Sequence, residues 1–247
     1  MINANSGGNG GAVGMNTSGI LTAESCDFGQ KVTDGDTTTY VNGNTASRGG
    51  AIYNGGANLQ IVNCNFYGNK ATVASGEGGG AICQNDNGHM SITGTGEFAG
   101  NEAKNQGGAI WTNDGKCVIT GYDFVSNKSG GAGGALRVRE KTGDYDIIMT
   151  DCDFTNNVSG AAAGAIYVSG GAEGYCTTLI LAGTGTFSGN TCATNQYGSD
   201  IGLGGAKTAT NLAVKYADES ANYTFGGTVQ YNDKTTCTIS VLESVTE

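Results

Sequence analysis

The side chains best suited to chemistry in this 247-residue chain are few and scattered. Eight cysteines occur (Cys26, Cys64, Cys83, Cys117, Cys152, Cys176, Cys192 and Cys237), and His89 is the only histidine. No C-x-x-C pair is formed, so the spacing argues against a zinc site. Acidic residues recur immediately before a phenylalanine, as Asp27, Glu97, Asp123 and Asp153, with Asn65 in the same place. Stacked about 5 Å apart, such carboxylates would repel by only about 1 kcal/mol in water, so a solvated acidic stripe is tolerable. Calcium bridging Glu97, Asp123 and Asp153 is the sharper alternative. No cofactor is expected.

Hydrolysis wants paired carboxylates in a cleft, and polysaccharide lyases want a base beside acidic metal ligands. The basic cluster Arg137-Val138-Arg139-Glu140-Lys141 has no Asp-Asp pair or Gly-His-Gly to accompany it, and no Gly-x-Ser-x-Gly elbow occurs. The expectation is a protein that is not an enzyme. Binding remains. Tyr53, Trp111, Arg137 and Tyr167 share one position of a repeat. Aromatic rings spaced along a flat sheet can stack on sugars, which makes these four the candidate ligand-binding residues. Packing between neighbouring strands is the plainer reading.

The repeat itself has two anchors. Gly-Gly-Ala plus an aliphatic residue occurs at Gly49–Ile52, Gly79–Ile82, Gly107–Ile110 and Gly133–Leu136, with variants at Gly10–Val13, Ala163–Ile166 and Gly198–Ile201. Phe-x-x-Asn runs Phe66 to Asn69, Phe98 to Asn101, Phe124 to Asn127, Phe154 to Asn157 and Phe187 to Asn190, while Phe28 lacks the Asn. Between the anchors lie alternating apolar residues such as Leu59 and Ile61 or Ile147 and Met149. Where Thr-Gly-Thr-Gly precedes or Thr-Gly-Thr abuts the Phe, the apolar pair moves back one place, which reads as a one-residue bulge.

Period-two alternation means strands. Each unit is expected to hold about three short strands, and units this small bury an apolar face only by stacking. The expected fold is all-β, a right-handed parallel β-helix of about six to seven coils. Val13, Ile52, Ile82, Ile110, Leu136 and Ile166 point inward, so Tyr53, Trp111, Arg137 and Tyr167 point outward. The phenylalanines stack inside, with Cys26, Cys64 and Cys152 two residues earlier on the same side. The Asn residues form a turn ladder, which makes Asn127 and Asn157 poor glycan acceptors despite their Asn-x-Ser context. Cys26 and Cys64 sit close enough for a disulfide; buried thiols are the plainer reading.

Composition narrows the function. With 45 Gly, no Pro, 14% charged residues and a net charge of −10, collagen and helical bundles are excluded and nucleic acid is a poor partner. No apolar run is long enough for a membrane-spanning helix. The pairing of Gly-Gly-Ala-Ile with Phe-x-x-Asn resembles the repeats of polymorphic outer-membrane proteins and related adhesin-like surface proteins, over roughly residues 7–201. That resemblance implies a β-helical passenger at a cell surface or outside the cell. The reading is a non-enzymatic, adhesin-like module that displays a rigid face to a host or community glycan or surface protein, within a larger protein whose neighbouring domains it contacts. A β-helix polysaccharide lyase or hydrolase and a ligand-free stalk or filament subunit are the alternatives. Residues 1–201 are read as the repeats, begun mid-coil, and 202–247 as strands capping the helix. Lys31 to Tyr40 reads as an inserted loop.

Overall fold

The computed structural model describes residues 1–16, 18–140, 145–170, 177–193, 198–204 and 212–242. It is a parallel β-solenoid whose coils each contribute to four sheets rather than three. The first face begins with Val13–Met15, Ile52–Gly55 and Ile82–Asn85, the strands that follow Gly-Gly-Ala. The second face takes the alternating segments, such as Asn58–Val62, Met90–Thr93, Cys117–Thr120 and Ile147–Thr150. The third carries the phenylalanines, in strands such as Asn65–Tyr67 and Gly96–Ala99. The fourth holds the additional strand, only two residues long in most coils, as at Lys70–Ala71 and Glu102–Ala103. Two-residue strands leave no alternation to read, which is why the pattern implied three. Among the described residues the first and second faces hold eight strands each and the third and fourth seven, against six to seven coils expected.

The difference arises at the C-terminal end. Leu212–Tyr216, Asn222–Phe225, Val229–Tyr231 and Ser240–Val241 add rungs to the existing sheets. Phe225 continues the phenylalanine register, so all seven phenylalanines occupy one slot. Successive rings from Phe28 to Phe225 stack with centroids 4.5–5.0 Å apart and planes within 17° of parallel. After Tyr231 the chain reverses: Gln230 bridges Thr236 antiparallel, and the Cys237 amide donates to the Val229 carbonyl at 2.9 Å.

The repeat anchors have physical causes. In Gly-Gly-Ala the first Gly is left-handed, at φ 58–72° in the four full copies. The second has no room for a side chain: a Cβ on Gly108 would lie 1.9 Å from the Gly134 carbonyl oxygen of the next coil. The Ala is wholly buried at Ala51, Ala81, Ala109 and Ala135. In Phe-x-x-Asn, each Asn from Asn44 to Asn157 donates its backbone amide and its Nδ2 to Oδ1 of the next Asn, at 2.9–3.1 Å. From Asn69 onward Nδ2 also donates to the carbonyl of the preceding coil's phenylalanine, at 2.8–2.9 Å. Every amide is thus satisfied at a buried corner, where an unpaired donor would be costly. Asn127 and Asn157 are fully buried. The ladder ends on Asp200, which replaces the Ala of the last copy. Its Oδ1 accepts from Asn190 at 3.1 Å and its Oδ2 from the Gly227 amide at 2.7 Å.

The Thr-Gly-Thr coils solve a packing problem. Two residues before each phenylalanine, the interior column reads Cys26, Cys64, Gly96, Tyr122, Cys152, Gly185, Tyr223. The tyrosines reach across the glycines, and Tyr122 Oη accepts from the Cys64 amide at 2.9 Å. A Cβ on Gly96 would sit 2.5 Å from the Tyr122 ring, and one on Gly185 2.3 Å from that of Tyr223. The extra residue lies at the corner between the second and third faces. Asn63 Oδ1 and Asp151 Oδ1 accept the offset amides of Thr95 and Thr184, at 3.0 and 2.9 Å.

Candidate functional site

Parallel register brings the predicted binding residues together. On the outer side of the first face, Tyr53, Cys83, Trp111, Arg137 and Tyr167 form one column. They point away from the main core, as the alternation requires. They do not present a row of open rings. Trp111 is 1% exposed, Arg137 6% and Tyr53 8%, and Tyr53, Cys83 and Trp111 form a second apolar cluster outside the sheet. Only Tyr167 is partly open.

The cause is size and overhead cover. Bulky side chains on coils about 4.8 Å apart shield one another, and loops between the fourth and first faces reach over them. Gln106, from one such loop, accepts from Arg137 Nε at 2.9 Å. Glu77, from the preceding loop, pairs with Arg48 at 2.8 Å. The Arg137 guanidinium also donates to Ser169 Oγ and the Val138 carbonyl, and its carbon lies 4.6 Å from the Tyr167 ring centre. No carboxylate pairs with it among the described residues, and burial lowers its pKa to about 10. These polar neighbours stand in for the water that Arg137 loses on burial. Cys83 was passed over in the sequence, although it follows Gly-Gly-Ala-Ile at the same offset as Tyr53 and Trp111; burial pushes its thiol pKa up.

The acidic column on the third face is in register through Asp27, Asn65, Glu97, Asp123 and Asp153. Three of its four carboxylates engage separate protein partners. Asp27 accepts from Asn65 Nδ2 at 2.8 Å, Glu97 pairs with Lys31 at 2.7 Å, and Asp153 accepts the Thr186 amide at 2.6 Å. Asp123, between Glu97 and Asp153, has its pKa raised by partial burial and then by Asp153 and Glu97, with Lys31 opposing. Among the described residues no three His, Cys, Asp or Glu side chains form a group able to hold a metal ion.

Lys31 belongs to an element the sequence marked only as an insertion. Gln30–Asp34 and Thr37–Val41 pair as an antiparallel hairpin with Asp34-Gly35-Asp36 at its tip. It is strapped to the third face by the Lys31–Glu97 pair and by Tyr40, whose ring stacks 6.0 Å from that of Tyr67. Its available signal was the run of strand-forming residues Thr37-Thr38-Thr39-Tyr40-Val41 directly after the turn residues Asp34-Gly35-Asp36.

The described cysteines are thiols. Cys64 Sγ accepts the Cys26 amide at 3.3 Å, and burial raises the Cys64 pKa, with Cys152 pushed up to about 12 by the same cause. Cys176 and Lys141 lie outside the described residues. No helix among the described residues is long and apolar enough to cross a membrane.

Residues 38–55 and 95–113 match the Chlamydia polymorphic membrane protein repeat. The second stretch runs from the Thr-Gly corner through Phe98 and Asn101 to Gly107-Gly108-Ala109-Ile110. No curated protein and no solved structure matches the chain.

Proposed function

We propose, for a chain that carries repeats of the polymorphic-membrane-protein type and so stands with adhesin-like cell-surface proteins, that this solenoid displays a glycan- or protein-binding surface and performs no catalysis. The repeat match carries the reading; rigidity supports it. The asparagine ladder and phenylalanine stack hold every coil to its neighbours, so an element attached outside is presented at a fixed place. The attached element best suited to contact is the Lys31–Tyr40 hairpin, with Val32 and Val41 each 37% exposed and an acidic tip. Protruding loops on a rigid scaffold are where binding residues concentrate. Tyr167, the open end of the first-face column, is the second contact, backed by Arg137. Trp111 and Tyr53 support that column from beneath and do not touch the partner. Within the stretch 202–247 read from the sequence as a cap, the reversal after Tyr231, where Gln230 bridges Thr236 antiparallel, serves to keep the last rungs from pairing with other chains.

The test is a panel of immobilised polysaccharides and glycoproteins, with product release assayed in the same wells. Wild type is compared with a variant whose residues 31–40 are replaced by a two-residue turn, and with Tyr167→Ala. Binding without turnover, reduced in either variant, is expected. Turnover of a polymer would replace this reading with the β-helix enzyme, and silence from folded wild type would leave a structural stalk.

A further inference from the structure

The outer side of the second face differs from every other side of the solenoid. Its central column runs Gln60, Ser91, Val118, Ile148, Ile180, and the column beside it Val62, Thr93, Thr120, Thr150, Ala182. Neither contains a charge over these five coils, in a chain of net charge −10; the rungs beyond them bring Glu24 at one end and Lys215 at the other. Val118, Ile148, Thr120 and Thr150 are partly exposed, and the strands beneath them are in unbroken parallel register. A third outward column flanks this strip. It carries Lys116 and, one coil later, Asp146, both exposed and neither ion-paired among the described residues.

We propose that this face binds a second copy of the chain, sheet against sheet, in a two-fold dimer. The positions of Lys116 and Asp146 select the arrangement. A two-fold axis parallel to the strands keeps each column facing itself and inverts the order of the coils. Placed between the Lys116 and Asp146 coils, it sets Lys116 against Asp146 of the second copy twice, Val118 against Ile148, and Thr120 against Thr150. Moved onto either coil, it opposes like charges, Lys116 to Lys116 or Asp146 to Asp146. An axis along the solenoid would set both charges against threonines. One register alone is self-complementary, as an isologous interface demands. The flat, β-branched surface suits face-to-face packing at about 10 Å.

The six coils from Gln60 to Lys215, by three columns, cover on the order of 500 Å² per partner, with Lys215 set against Gln60 of the second copy, so the buried total lies near 1,000 Å², the lower limit for a specific interface. The dimer is therefore weak and concentration-dependent. It does not use the hairpin or Tyr167, so it leaves the proposed binding surface open and stands apart from that reading.

Sedimentation velocity of the full chain from about 5 to 500 µM tests it. A reversible monomer–dimer equilibrium is expected. Lys116→Asp, or Asp146→Lys alone, opposes like charges and should weaken association at least about tenfold. The double exchange Lys116→Asp with Asp146→Lys restores the pairing with reversed sign and should return the affinity to within about threefold of wild type. Ile148→Glu should abolish the dimer while circular dichroism shows the fold intact. A monomer at every concentration overturns the proposal. So does a dimer indifferent to Lys116→Asp, or a double variant that stays monomeric. A monomeric wild type that binds a glycan through this face, lost in Ile148→Glu, would also overturn it by giving the face another occupant.

Discussion

Trp111 and Val118 lie in the same coil, both on outward positions of parallel strands, and their surroundings are opposite. Trp111 is 1% exposed and locked into a cluster with Tyr53 and Cys83; Val118 remains partly open on a flat strip. In both strands the alternation gives the side chain's direction correctly. It does not give its exposure, because exposure depends on what stands over the sheet. The loops that cross from the fourth to the first face bring Glu77 and Gln106 over the aromatic column. Beside Val118 the register supplies only uncharged side chains such as Ser91 and Ile148. An outward aromatic in a solenoid is thus as much a packing element as a buried one, and the open strip lies where residues are small.

The strongest break in that contrast is Trp111→Ala. If the outer column is a second core, this change leaves a cavity and should cost about 3–5 kcal/mol, as for an interior aromatic. Denaturant unfolding checks it; a loss under about 1 kcal/mol would return Trp111 to the class of surface residues and revive it as a ligand contact. Inside the solenoid, Gly96→Ala should cost about 1–3 kcal/mol, because the new Cβ meets the Tyr122 ring in a packed core. Tyr122→Cys combined with Gly96→Ala should recover much of that loss, since it recreates the small-residue slot of Cys64. Thermal unfolding of the single and double variants measures the recovery.

These cases mark how much the sequence discloses. The coil, the inward aliphatic column, the phenylalanine stack and the asparagine ladder were all legible, because each repeats a residue type at a fixed place. What escaped was compensation between coils. The extra residue near Gly96 was legible as a bulge, but that Gly96 makes room for Tyr122 shows only when the neighbouring coil is laid on it. Asp200 looks like a decayed alanine until it is seen to end the asparagine ladder. The fourth strand of each coil is too short to show a period. Phe225 lacked the Asn that marked its predecessors. At the candidate site the four residues Tyr53, Trp111, Arg137 and Tyr167 were correctly aligned, but their cover comes from loops rich in Gly and Asn, whose path no periodicity encodes.

The acidic column sharpens the comparison with a smaller effect. The raised pKa of Asp123 means that the folded state binds its proton more readily than the unfolded chain does. Its contribution favours folding below the ordinary carboxylate value, near 4, and is lost as pH rises through the raised folded value. Asp123→Asn should therefore stabilise the protein slightly at pH 7, by less than about 0.5 kcal/mol for so exposed a site. The gain should vanish below about pH 4. Glu97→Gln should do the reverse at pH 7, because it removes the partner of Lys31. Paired melting curves at the two pH values distinguish them.

The smallest effect is the most exacting test. Val118→Thr keeps the β-branched shape and changes one methyl to a hydroxyl. On an open strip that hydroxyl meets water, so monomer stability at high dilution should stay within about 0.5 kcal/mol of wild type. Beneath a covering segment the same hydroxyl would be desolvated without a partner and cost about 1–3 kcal/mol. The substitution therefore reports whether the second face is open in the isolated chain, independently of anything that binds there. A neutral result at dilution, together with a weaker dimer at high concentration, would locate the cover of Val118 in a second molecule, whereas the cover of Trp111 comes from its own chain.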